Sequence, residues 1–236
     1  MRSLFGLVLF CALATAGAFA QAQAPVILVV GDSLSAGYGL PQGRGWVNLL
    51  QQRLIDRKLD YRVVNASISG DTTAGGRARL PAALDQYRPA IVIIELGAND
   101  GLRGQPIESM RENLTEMVGA SRKAGARVLL IGMRIPPNYG QQYTRKFQQA
   151  FADVAKAQHV ALVPFLLDGF AERRAMFQAD AIHPTEQAQS LMLETVWRQL
   201  LPLLDPGAAK KRASVYGSRI AHTPHALPSR KREQLA

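Results

Sequence analysis

Short runs of apolar, mostly β-branched residues recur along the chain and alternate with longer amphipathic stretches. Runs of this kind, bounded by turn-forming residues, are typical of strands that are buried on both faces. We therefore predict five strands, at 26–30, 61–66, 90–96, 126–132 and 160–163.

Amphipathic stretches with apolar residues at helical spacing lie between and after these strands and predict helices. Pro81 is expected near the end of the second helix, and Pro202 beyond the end of the last one. Pro136 and Pro137 predict an extended loop over 134–139, because neither residue suits a helix interior. The five predicted helices are at 46–58, 71–84, 106–123, 141–157 and 185–200.

The regular alternation of strands and helices is typical of right-handed βαβ units around a parallel sheet. The chain shows no internal repeat and no linker within 25–204. We therefore expect one domain over 25–204, of the α/β class, with a parallel sheet between two helix layers. In such folds ligands bind beyond the carboxyl ends of the strands.

The first 20 residues have the pattern of a signal peptide. An arginine precedes an apolar run over 4–14, and Ala18 and Ala20 form a small-x-small cleavage site. The run is too short to span a bilayer as a helix. We expect cleavage after Ala20, with Ala22 or Ala24 as alternatives, and export to the periplasm or the medium.

The single cysteine, Cys11, lies within this predicted signal peptide. A chain cleaved after Ala20 would contain no cysteine. Disulfide bonds, thiol catalysis and cysteine metal sites are therefore excluded for the mature protein.

The formal net charge of +10 is concentrated near the C-terminus. The segment 205–236 contains seven Lys or Arg and two Asp or Glu, has no apolar periodicity and predicts a disordered tail. A plain solvated tail is the simplest interpretation, and weak contact with anionic envelope lipids is the alternative. Tyr216 is its only aromatic residue, so we expect no binding of nucleic acid.

Candidate chemistry follows three of the predicted strands. Gly31 and Asp32 end the first strand and place Ser33 just beyond it, while Gly70 and Asn99 follow the second and third strands. A serine at this edge can be a nucleophile, although a turn or helix-cap serine is the common alternative. Gly70 and Asn99 can donate hydrogen bonds to an oxyanion or can simply be turn residues.

His183 is the histidine best placed to act as a base. Two other histidines lie in the tail, and His159 precedes a strand at the opposite edge of the predicted sheet. Asp180 is three residues before His183, so a tight loop can bring the carboxylate to the imidazole. The alternatives are a packed histidine and a capping aspartate.

Several other site patterns are missing from the sequence. The segment after Gly31 lacks the second glycine of the G-x-S-x-G elbow. The P-loop and dinucleotide patterns are absent, and no histidine or carboxylate cluster has the spacing of metal ligands.

Four segments resemble, in order, the four blocks of the SGNH or GDSL hydrolase superfamily. They are Gly31-Asp-Ser-Leu-Ser35, Ser69-Gly-Asp71, Gly97-Ala-Asn-Asp100 and Asp180-Ala-Ile-His183. Longer stretches at 31–38, 64–72 and 131–140 are similar to the branch of bacterial periplasmic thioesterases I, lysophospholipases L1 and arylesterases. The resemblance covers about residues 25–204. Ala181 stands where this branch often has glycine, and we expect that to affect only loop flexibility.

The resemblance implies a flavodoxin-like strand order of 2-1-3-4-5 and no metal or cofactor. It implies Ser33 as nucleophile, His183 as base and Asp180 as the residue that orients the base. The oxyanion would be bound by the N–H groups of Ser33 and Gly70 and by the side chain of Asn99. We expect a monomer.

The function implied by this resemblance is a serine esterase for small-molecule acyl esters or thioesters, as in lysophospholipases, acyl-CoA thioesterases and arylesterases. Carbohydrate O-deacetylation is an alternative, and a non-catalytic envelope-binding protein is another. An exported enzyme meets little coenzyme A, which favours lipid and other esters. We expect the acyl group to lie against Leu102, Ile135, Pro136 and Tyr139.

Overall fold

A five-stranded sheet forms the centre of the computed structural model, which describes residues 24–204. All strands are parallel and lie in the order β2-β1-β3-β4-β5, so the predicted order is confirmed. The predicted signal peptide and the basic tail lie outside the described residues. The strands are β1 Val26–Gly31, β2 Arg62–Asn65, β3 Ile91–Glu95, β4 Arg127–Ile131 and β5 Ala161–Val163.

The sheet is buried on both faces at its centre, which explains its continuous apolar runs. Strand β1 lies between β2 and β3, and Leu28 is in register with Val64 on one side and Val92 on the other. Every residue of β1 and β3 is buried, whereas the edge strand β2 is partly exposed. The carboxyl ends of β1, β2 and β3 are therefore neighbours.

Helices cover both faces of the sheet. Helix α2 packs against α7, and α5 packs against α3 and α6. This is the predicted three-layer architecture. The helices are α1 Ser33–Ala36, α2 Trp46–Asp56, α3 Thr73–Tyr87, α4 Ala98–Leu102, α5 Ile107–Lys123, α6 Gln141–Gln158 and α7 Glu186–Leu204.

Two short helices at the carboxyl edge of the sheet were not predicted. Helix α1 begins at Ser33 and helix α4 at Ala98, directly after β1 and β3. Both are too short to show hydrophobic periodicity, because four or five residues complete little more than one turn. The segment 134–139 is also less extended than predicted, since Pro137 starts a 3₁₀ turn that ends at Tyr139. Proline suits the first position of a helical turn, where its missing N–H is not needed.

The predicted ends of two helices were wrong. Helix α3 continues past Pro81 to Tyr87, and α7 includes Pro202 and ends at Leu204. In α7 the last carbonyl groups have other partners, which stabilise the final turn. The Tyr61 hydroxyl donates to the Leu204 carbonyl oxygen over 2.8 Å, and Arg127 donates to that of Leu203.

Within residues 24–204, no helix combines the length and the hydropathy that crossing a membrane requires. The same residues contain no group of three or more His, Cys, Asp or Glu side chains suited to a metal ion.

Candidate active site

Ser33 is the first residue of α1, immediately beyond the carboxyl end of β1. The Asp32 side chain caps this helix by accepting a hydrogen bond from the Leu34 N–H over 3.0 Å. A Cβ on Gly31 would lie 2.7 Å from Ser35 Cβ and 2.8 Å from Glu95 Oε2. The glycine therefore lets the chain turn sharply from strand to helix above the Glu95 side chain.

The structure brings Ser33, His183 and Asp180 into one hydrogen-bonded series. His183 Nε2 lies 2.9 Å from Ser33 Oγ, and His183 Nδ1 lies 2.7 Å from Asp180 Oδ2. A neutral imidazole that carries its proton on Nδ1 satisfies both contacts. It donates to the Asp180 carboxylate and accepts from the Ser33 hydroxyl, which is the geometry needed to activate a serine.

The loop that carries this pair is held by Asp180 itself. Its Oδ1 atom accepts from the N–H groups of Ile182 and His183 over 2.9 and 3.0 Å. The hydrogen bond from the His183 side chain, followed by these backbone hydrogen bonds, lowers the pKa of Asp180 to about 2. The carboxyl group is therefore ionised at every pH at which an esterase is assayed.

Ala181 has a φ of 60°, which lies in the left-handed region. An L-residue with a Cβ is strained there, whereas glycine is not. The expectation that Ala181 changes only loop flexibility was therefore wrong, because the loop also stores backbone strain next to Asp180.

Two residues that support His183 were not identified from the sequence. The Tyr38 ring lies 4.5 Å from the His183 ring, centroid to centroid, at a tilt of 40°. Gln178 Nε2 donates to the carbonyl oxygens of Tyr38 and Pro184 over 2.9 and 3.1 Å. Gln178 therefore joins the loop after α1 to the loop of His183. The sequence gives no local signal for the contacts of Tyr38 with His183 and with Gln178, because these residues lie far apart along the chain. Tyr38 and Gln178 are separated by 140 residues.

Two backbone N–H groups at this edge make no hydrogen bond within the described part of the chain. They are the N–H groups of Ser33 and Gly70, the two predicted backbone donors to the oxyanion. Gly70 has a φ of 80°, and a Cβ there would approach only Arg103, at 3.9 Å. Glycine is thus required by the backbone conformation, not by lack of space. Arg103 Nη2 also donates to the Gly70 carbonyl oxygen over 2.9 Å.

Asn99 lies in α4, and its amide nitrogen already donates two hydrogen bonds. Asn99 Nδ2 is 2.9 Å from the Asp71 carbonyl oxygen and 3.1 Å from Asp32 Oδ2. An amide nitrogen carries two hydrogens, so both are engaged. These bonds fix the amide plane, and an oxyanion would share one of the two hydrogens.

Two buried carboxyl groups, Asp32 and Glu95, lie beneath Ser33. Glu95 Oε2 is 2.6 Å from Ser35 Oγ and 3.4 Å from the Asp32 N–H nitrogen, while Oε1 has no partner in the described structure. Burial, followed by the neighbouring charge of Asp32, raises the pKa of Glu95 well above its usual value. Burial also raises the pKa of Asp32 to about 6, although the Leu34 N–H, His183 and Asn99 oppose the increase.

The predicted acyl-contact residues lie on two loops that meet. The Tyr139 hydroxyl donates to the Leu102 carbonyl oxygen over 2.9 Å, and Tyr139 is 38% exposed. Pro136 is exposed and Leu102 is half-buried. Ile135 is only 8% exposed because it lies in the core, so it offers an acyl chain little surface.

One well-defined cleft lies away from this site. It has a volume of about 630 Å³ and lies between α5 and α6. None of the residues that line it is a predicted site residue, and its rim is strongly charged. We therefore place the candidate site at the carboxyl edge of the sheet, where the reactive groups converge. The cleft is lined by Pro106, Ile107, Glu108, Arg111, Tyr143, Lys146, Gln149, Ala150 and Asp153.

Comparison with known proteins identifies relatives that cover most of the chain. It is 54% identical to Esterase TesA of Pseudomonas aeruginosa over 184 residues, which is 78% of this chain and 92% of that protein. It is 42% identical to an arylesterase of Vibrio mimicus over 201 residues, which is 85% of this chain and 98% of that one. The Escherichia coli protein thioesterase 1/protease 1/lysophospholipase L1 is 39% identical over 187 residues, with coverages of 79% and 88%.

Solved structures and a family model agree with these relatives. The crystal structure of TesA matches with a TM-score of 0.74, 54% identity and coverage of 75% of this chain and 99% of that chain. The psychrotrophic esterase EstA from Pseudoalteromonas sp. matches with a TM-score of 0.73, 42% identity and coverages of 76% and 98%. The model of the GDSL-like lipase/acylhydrolase family matches residues 29–191. The chain belongs to this family of ester-bond hydrolases.

Proposed function

We propose that the protein is a serine esterase that hydrolyses acyl esters and thioesters through an acyl-enzyme. The observation that carries the proposal is the pair of contacts made by His183, at 2.9 Å to Ser33 Oγ and 2.7 Å to Asp180 Oδ2. These contacts supply a nucleophile, a base and a group that orients the base.

In the first step His183 Nε2 takes the proton of Ser33 as Oγ attacks the carbonyl carbon of the ester. Asp180 keeps the other imidazole proton on Nδ1 and stabilises the imidazolium that forms. The carbonyl oxygen becomes an oxyanion, which accepts hydrogen bonds from the N–H groups of Ser33 and Gly70 and from Asn99. Loss of one such donor typically lowers the rate about 10²–10³-fold.

Collapse of the tetrahedral intermediate breaks the bond to the leaving group. The proton held by His183 passes to the leaving alcohol or thiol, and the acyl group remains on Ser33. Water then attacks the acyl-enzyme with His183 again as base, which releases the acid and restores the Ser33 hydroxyl. Attack by Ser33 and attack by water each require a neutral imidazole as base, so activity falls at acid pH.

The substrate class is proposed from the relatives and from the surface beside Ser33. The relatives are described as an esterase, an arylesterase and a thioesterase/lysophospholipase. Several large apolar side chains are exposed on loops at this edge of the sheet and can contact an acyl chain. They are Tyr38, Ile68, Tyr139 and Ile182. We therefore propose acyl chains longer than acetate, on lipid or other exported esters.

The test is hydrolysis of p-nitrophenyl acetate, octanoate and palmitate by the parent protein and by Ser33→Ala. We expect release by the parent to be fastest on octanoate or palmitate, and release by Ser33→Ala to be at background. Ser69→Ala is the control, because Ser69 is exposed at the same edge and should retain full activity. Release by the parent on acetate alone would point to deacetylation. Equal release by Ser33→Ala and the parent, both folded, would overturn the proposal.

We also propose that the protein is exported and acts as a monomer. The proposal of export rests on the signal-peptide pattern of the first 20 residues. Mass spectrometry of the protein recovered from its source should give an N-terminus at residue 21, 23 or 25. The basic tail would add only weak attraction to anionic envelope lipids. Recovery of the full-length chain with Met1 would contradict export by cleavage.

A further inference from the structure

Asp32 makes contacts that reach beyond its role as a helix cap. One carboxylate oxygen accepts from the Leu34 N–H, and the other accepts from Asn99 Nδ2 over 3.1 Å. Asp32 is 1% exposed. Asp32 therefore connects the first turn of α1, which carries the nucleophile, with α4, which carries the oxyanion donor Asn99.

The pattern of donors around the two buried carboxyl groups places the negative charge on Asp32. Both of its oxygens accept hydrogen bonds from N–H donors, as an ionised carboxylate does. Glu95 Oε2 accepts from the Ser35 hydroxyl and has a long contact with the Asp32 N–H, while its Oε1 atom has no partner in the described residues. A carboxyl group that is fully buried and so poorly solvated remains neutral.

We propose that Asp32 is a positioning residue for catalysis, and that its carboxylate holds the Asn99 amide in the orientation that stabilises the oxyanion. This inference rests on the proposed function and adds to it a residue that never touches the substrate. Asp32 acts with the Asp71 carbonyl oxygen, because the two acceptors bind both hydrogens of Asn99 Nδ2. An amide fixed in this way needs little reorganisation when the oxyanion forms.

The substitution Asp32→Asn tests this role without removing the helix cap. Asparagine caps helices as well as aspartate does, and its oxygen can still accept from the Leu34 N–H. Its NH₂ group would then face Asn99 Nδ2, so two donors would meet and the Asn99 amide would lose an acceptor. We expect kcat to fall on the order of 10–100-fold, with KM changed by less than about threefold, as loss of a charge-assisted hydrogen bond implies.

A double-mutant cycle with Asn99→Ala separates positioning from general damage. If Asp32 acts through Asn99, the second substitution should add little to the first. The double variant should then have a kcat/KM within about threefold of that of Asn99→Ala alone. Glu95→Gln is the matched control, because it also changes a buried carboxyl to an amide but does not contact Asn99. Any factor by which Glu95→Gln lowers kcat/KM in the parent should be the same when Glu95→Gln is added to Asn99→Ala.

A pH profile gives a second measurement that a purely structural role would not change. Asp32 faces Glu95 from β3, Asp71 from the loop before α3 and His183 from the loop of Asp180. Its pKa is about 6. Arg79 is the nearby cation, and it binds Asp71 and the Gly31 carbonyl oxygen. When Asp32 takes up a proton, it loses the charge that holds the Asn99 amide, so kcat/KM of the parent should fall more steeply towards acid pH than kcat/KM of Asp32→Asn, which lacks this titrating group. Profiles of equal steepness would contradict the inference.

The rate at which a fluorophosphonate labels Ser33 completes the test, because it requires no knowledge of the substrate. Labelling uses the same oxyanion donors, so it should show the same coupling between Asp32 and Asn99. Turnover of esters by the parent without this coupling would overturn the inference and leave the proposed function standing. Coupled labelling without ester turnover would overturn the function and keep the inference. Parental rates for Asp32→Asn in both assays would also overturn the inference.

Discussion

The ring of Tyr38 lies against the imidazole of His183, 4.5 Å away between ring centroids and tilted by 40°. Gln178 holds the backbone of Tyr38 in place, because Gln178 Nε2 donates to the Tyr38 carbonyl oxygen. Such aromatic pairs contribute about 0.5–1.5 kcal/mol beyond the area they bury. Tyr38 therefore helps to keep His183 oriented between Ser33 and Asp180.

Replacing Tyr38 by alanine should lower kcat/KM on p-nitrophenyl esters by about 2–10-fold, as a loss of this size implies. Tyr38→Phe is the matched control and should behave as the parent, since it retains the ring and its contact with His183. Steady-state kinetics on purified variants measures both effects. Equal losses in the two variants would show that the hydroxyl, not the ring, supports the base.

Asp180→Asn should lower kcat on the order of 10,000-fold and leave the fold intact, because an asparagine amide can stabilise the wrong imidazole tautomer. The remaining oxygen can still accept from the backbone N–H groups of Ile182 and His183, which preserves the loop. Kinetics and a thermal melt of the same sample test this. A variant that keeps more than a tenth of the parental kcat would show that another group orients His183.

Ala181→Gly should stabilise the protein, because Ala181 has a φ of 60°. Relief of left-handed strain is worth about 1 kcal/mol, which for a domain of this size raises Tm by about 2–4 °C. Ala179→Gly is the matched control, since it lies in the same loop and has no positive φ. It should lower Tm or leave it unchanged. A Tm increase in the control alone would contradict this account of the strain.

Glu95→Gln should change how stability depends on pH. The folded-state pKa of Glu95 is raised, so the unfolded chain loses this proton at lower pH than the folded chain does. The contribution of Glu95 to stability is therefore complete below its unfolded pKa and decreases as pH rises towards its folded pKa. Glutamine does not titrate, so it removes this decrease.

Urea unfolding of both proteins between pH 4.5 and pH 8 measures the difference. The two should have similar free energies of unfolding at the acid end of this range. As the pH rises from 4.5, Glu95→Gln should become more stable than the parent, and the difference in the free energy of unfolding should grow by up to about 1.4 kcal/mol per pH unit. A difference that stays constant with pH would mean that Glu95 is ionised in the folded protein.

The sequence was sufficient to predict the elements that have strong periodicity and the loops on which the reactive groups lie. The five strands follow from apolar runs, and their order follows from the family resemblance. The series formed by Ser33, His183 and Asp180 could be anticipated because parallel strands bring their carboxyl ends to one edge. Helices α1 and α4 could not be predicted, since their few residues carry no periodic pattern.

Contacts between residues that are distant along the chain could not be predicted from the sequence. Glu95 was visible only as the single polar residue in an apolar strand, and its interaction with Asp32 joins positions 63 residues apart. The contact of Tyr38 with His183 and the left-handed conformation of Ala181 depend on how the loops pack in three dimensions. Ile135 has the apolar side chain expected of an acyl-binding residue, but it is buried in the core.

Tyr139 offers the sharpest test of where the acyl chain binds. It is 38% exposed and hydrogen-bonded to Leu102, so it can be changed without opening the core. Ile135→Asp would bury a charge and unfold the protein, which makes it unsuitable for this purpose. Tyr139→Ala should lower kcat/KM for octanoate relative to acetate by about tenfold, which corresponds to about two methylene groups removed from apolar contact.

Ile55→Ala is the matched control, because Ile55 is a large apolar residue that is 58% exposed on α2 and belongs to none of the loops around Ser33. It should leave the ratio of octanoate to acetate unchanged. Tyr139→Phe distinguishes the ring from its hydroxyl, and should keep the parental ratio if apolar contact decides the preference. A parental ratio in Tyr139→Ala would show that the acyl chain does not lie against this loop. Ile68→Ala and Ile182→Ala would then be measured in the same assay, because both residues are exposed and apolar.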